Sequence, residues 1–76
     1  MTHDKHDTTM RDGIEAALKA LTRMLEYSSR HAADAHGCIR RNEQNLAIGT
    51  LILVENALEQ AMSLYRAIIA MHRYKP

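Results

Sequence analysis

Five histidines and a single cysteine are the residues here with the most chemistry to offer. His3 and His6 sit three apart in a polar opening stretch, and His31, His36 and Cys38 cluster further along. A zinc site needs four converging ligands. The second group supplies only three, and His31 and His36, five residues apart, project about 140° apart around a helix. No metal site is expected. These histidines read instead as solvated groups near a helix C-terminus, where a protonated imidazole suits the helix dipole. Cys38 has Arg40 and Arg41 beside it, a setting that can activate a thiol. No His or carboxylate is spaced to complete a nucleophilic site, so Cys38 is expected to be a small, half-buried residue at a turn. One cysteine cannot close an internal disulfide. No Gly-rich phosphate loop, nucleophile elbow or carboxylate pair is present. The expectation is a non-enzyme with no catalytic residue and no cofactor.

The arginines raise the other chemical option, a nucleic-acid contact through Arg23, Arg30, Arg40 and Arg41. Acids interleave with them at Glu26, Asp34 and Glu43, and ten Lys and Arg against nine Asp and Glu leave a net charge of +1. That is not the footprint of a chain held to phosphate by counterion release. Glu15–Lys19 and Glu26–Arg30 have the spacing of i,i+4 pairs, which points to a solvated charged face. No apolar run approaches the roughly 20 residues that span a bilayer, and the polar start is unlike a signal peptide. Neither nucleic acid nor membrane is an expected partner. A free thiol fits a cytoplasmic location.

The elements that carry these residues are helical. The 76 residues are 46% hydrophobic without one Phe or Trp, so Ala, Leu, Ile and Met make up the apolar content. These are mostly strong helix formers. One Pro, at the last position, and three Gly leave little turn chemistry for a β fold. A chain this short has a marginal core when alone.

Residues 1–11 read as a flexible leader and 12–74 as a single helical hairpin. Asp12 and Glu15 form a capping-box start for a first helix over about 12–36. Gly37 is its expected terminator, 37–42 the turn, and Asn42 the N-cap of a second helix over about 43–73. In the first helix Ile14, Leu18, Leu21, Leu25, Ser28, Ala32 and Ala35 recur at alternating steps of four and three. Ala47, Leu51, Val54, Leu58, Ala61, Tyr65 and Ile68 do the same in the second. These are heptad seams, and a short connection makes the helices antiparallel neighbours. A turn centred near Ile39 and Arg40 pairs Ile14 with Tyr65, Leu18 with Ala61, Leu21 with Leu58 and Leu25 with Val54. Ser28 then meets Leu51, its hydroxyl bonded to its own helix, and Ala32 meets Ala47. The fold class is all-α: an antiparallel, coiled-coil-like two-helix hairpin able to dimerise into a four-helix bundle.

Helix 2 is apolar on more sides than one neighbour can cover. Ile48, Met62 and Ile69 flank its seam on one side, and Leu53, Ala57, Leu64 and Met71 on the other. Helix 1 carries a second stripe at seven-residue steps, Met10, Ala17, Met24, His31 and Cys38. Exposed apolar surface of this extent marks an interaction site. The seven flanking residues of helix 2 are the expected partner-binding face, and a homodimer is the alternative way to cover them.

A family resemblance sharpens this. Leu51-Ile52-Leu53-Val54-Glu55-Asn56-Ala57-Leu58-Glu59-Gln60-Ala61, followed by Tyr65, Ile68-Ile69 and Arg73-Tyr74, resembles the C-terminal helix of the small E-type co-chaperones of type III secretion needles, the YscE-like family. Over helix 1 the likeness is one of pattern only. The resemblance implies a cytoplasmic hairpin that binds and stabilises a larger helical-repeat chaperone, the G-type partner, so that the needle subunit stays soluble before export. It implies a role in virulence through protein–protein interaction. The alternative function is a homodimeric four-helix-bundle regulator that binds RNA or DNA.

Overall fold

The computed structural model of the chain is a helical hairpin of two elements, α1 over Thr2–Arg40 and α2 over Gln44–Arg73, packed antiparallel. It describes residues 2–74, with side chains from residue 8 onward. Met1 and the side chains of His3 and His6 therefore lie outside the described part. The hairpin is a rod of 61 × 15 × 12 Å with a radius of gyration of 17.7 Å, against roughly 11 Å for a compact chain of this length.

α1 begins ten residues before the expected start at Asp12. Nothing between Thr2 and Asp12 stops a helix: there is no Pro and no Gly. Gly13, which would be the first helical residue after an Asp12 cap, is an interior one. It costs up to about 1 kcal/mol relative to Ala, which a helix continuous on both sides absorbs.

The turn also differs. α1 runs straight through Gly37, and no glycine of the chain has a positive φ. The left-handed residue is Asn42, with φ 61°. The Glu43 N–H donates to the Cys38 carbonyl at 2.9 Å and the Asn42 N–H to the Ile39 carbonyl at 3.0 Å. This is a Schellman closure with Asn in the place usually taken by Gly. Asn is not the N-cap of α2. That position belongs to Glu43, whose carbonyl accepts from the Ala47 N–H at 2.9 Å. The Glu43 side chain makes no cap bond; it accepts from Arg41 Nε at 2.7 Å. Glu43, by accepting this bond and by its charge, holds the Arg41 guanidinium above its ordinary pKa.

Moving the turn from Ile39–Arg40 to Asn42 changes which residues meet. A Cβ on Gly13 would lie 3.4 Å from Met71 Sδ, where the expected pairing puts Arg66. The contact stripe rolls accordingly. On α1 the shielded residues include Met10, Ala17, Leu21, Met24, Ser28, His31, Ala35 and Cys38; on α2 they include Ala47, Thr50, Val54, Ala57, Ala61, Leu64, Ile68 and Met71. The stripe read as secondary on α1 is thus part of the hairpin seam.

The core is made of small residues. Ser28, Ala35, Cys38, Ala47, Val54, Ala57 and Ala61 are buried, and no large side chain is fully enclosed. Small side chains let the two backbones approach closely. The Ser28 hydroxyl donates to the Met24 carbonyl at 2.8 Å, as expected for a hydroxyl in a helical seam. All seven buried residues lie between 28 and 61, in the half of the rod nearer the turn. Toward the open end Met10, Gly13, Ile14, Ile68, Ile69 and Met71 are only half-buried.

Candidate interaction surface

The rolled seam redistributes the residues that sequence reasoning assigned to core and contact. Of the expected core, Val54 and Ala61 are buried and Ile14 and Leu21 half-buried. Leu18, Leu25, Leu51, Leu58 and Tyr65 are not core: each is about half exposed or more, Leu58 at 51%. Of the expected contact face, Ile48, Leu53 and Met62 are exposed and Ile69 is half-buried. Ala57, Leu64 and Met71 are not free surface. Ala57 is buried in the seam, and Leu64 and Met71 are half-buried along it. The heptad arithmetic preferred bulky residues for the seam, but a close helix pair takes small ones and leaves the bulky ones outside.

The displaced leucines gather on one broad face. Leu18, Leu25 and Ile39 stand in a row beside the α1 seam; Leu51, Leu58 and Tyr65 stand in a row beside the α2 seam. Each row is rotated from its seam in the same sense along its own helix, by about a fifth of a turn. Because the helices run in opposite directions, equal rotations bring both rows to the same side of the hairpin. Ile48 and Met62 extend this face outward on α2, and Ile52, the most exposed large hydrophobe at 62%, lies further round. A shallow apolar groove here is lined by Ile48, Leu51, Ile52 and Leu58, with Glu55 and Glu59 at its edge.

The opposite face is more polar. A shallow groove there runs between Met24 and Tyr27 of α1 and Leu53, Asn56 and Gln60 of α2. His31 is half-buried beside it, its ring 4.1 Å from that of Tyr27. His31 Nδ1 lies 3.0 Å from the Tyr27 carbonyl. A carbonyl oxygen only accepts, so Nδ1 carries the proton. His31 is therefore a seam residue held by its own helix, not a solvated one.

Cys38 is 5% exposed and packs with Ala35 and Ala47. Arg41 Nη2 approaches its sulfur at 3.5 Å. It lies within α1, one turn before the left-handed Asn42, more deeply covered than a half-buried turn residue. Among the described residues no three His, Cys, Asp or Glu side chains converge as a metal site would require. Arg23 and Arg30 share a shallow outer groove of α1 with Glu26 and Ser29. Among the described residues the one ion pair is Arg41–Glu43, so Glu15–Lys19 and Glu26–Arg30 are not closed. No described helix is long and apolar enough to cross a membrane. The chain matches no family model, no curated protein and no solved structure.

Proposed function

We propose that this hairpin is a non-enzymatic binding module, a co-chaperone of the type III secretion needle kind. Its broad apolar face would dock on a larger helical-repeat chaperone and so help keep a needle subunit soluble in the cytoplasm. The observation that carries the reading is the row of half-exposed leucines on both helices, Leu18 and Leu25 with Leu51 and Leu58. A single hairpin leaves them in water, and apolar surface of that extent is a protein-docking surface. The resemblance of α2 to the E-type family supplies the kind of partner. The face differs from the one read off the heptads: Leu58 and Tyr65 belong to it, Leu64 and Met71 do not.

The test is co-expression with a helical-repeat chaperone and a needle subunit encoded beside this chain. The expected result is a stable ternary complex in size-exclusion chromatography. Leu58→Asp should abolish it while leaving the helicity of the isolated hairpin unchanged. Absence of a complex, or a complex indifferent to Leu58→Asp, would refute the proposal.

A further inference from the structure

We draw no further inference here: the strongest candidate, the broad apolar face formed by the Leu18–Leu25–Ile39 row of α1 and the Leu51–Leu58–Tyr65 row of α2, with Glu55 and Glu59 at the edge of its groove, is the docking surface already described, and nothing in the structure shows what covers it.

Discussion

Two adjacent residues of α2 decide where the hairpin seam lies. Heptad spacing puts Leu58 in the core and Ala57 outside; in the structure Ala57 is 6% exposed and Leu58 51%. Complete burial of a leucine contributes about 1.5–3 kcal/mol, so the half that α1 covers is about 1 kcal/mol. Ala is the better helix former by a few tenths, and Leu58→Ala should destabilise the monomer by less than about 1 kcal/mol. Ala57→Leu, by contrast, pushes three extra carbons between closely packed backbones and should cost about 1–3 kcal/mol. The assay is urea unfolding followed at 222 nm, run at protein concentrations dilute enough to keep the chain monomeric. A Leu58→Ala loss of 2–5 kcal/mol, the range for a leucine in a packed core, together with a neutral Ala57→Leu, would refute the seam and the turn position that sets it.

Other substitutions probe the turn and the helices. Asn42→Ala should lower stability by about 1 kcal/mol, because a Cβ-bearing residue without a local polar group is strained at the left-handed φ, while Asn42→Gly should be tolerated fully; thermal melts measure both. Gly49 is exposed within α2, and a Cβ there meets nothing within 4 Å, so Gly49→Ala should add about 1 kcal/mol and raise the melting temperature by about 4–8 °C. Cys38 should react with a thiol reagent far more slowly in the native protein than in urea, since its sulfur is reached only by opening the turn-proximal core.

The helices and their antiparallel order were legible from steps of three and four on either side of a short break. Register was not, and the reason is local. Gly37 looked like the stop because Gly takes the left-handed conformation without penalty. Asn42 takes it here instead, satisfied by the Glu43 and Asn42 N–H bonds to Cys38 and Ile39. A displacement of a few residues at the turn is doubled along the rod, which replaces the Leu18–Leu25 and Leu51–Leu58 rows by Ala17–Met24 and Ala57–Leu64. Both stripes on each helix are apolar, so periodicity alone did not discriminate between them. The clue was size: rows rich in Ala, Ser and Cys admit a close neighbour, and rows of Leu suit a looser or larger one. The first eight helical residues, Thr2 to Thr9, gave no periodic signal because none is apolar, and only the absence of any breaker pointed to continuity.

The concentration of buried residues beside the turn has a mechanical consequence. The hairpin is clamped at one tip, where Ala35, Cys38 and Ala47 interlock, and merely laid together at the other, where Gly13 meets Met71. Like tweezers, it can part its free tips without disturbing the pivot. Amide protons near Ser28 and Val54 should accordingly outlast those near Met10 and Ile68 in deuterium, and any binding partner that wedges the prongs apart will begin at the tip far from Asn42.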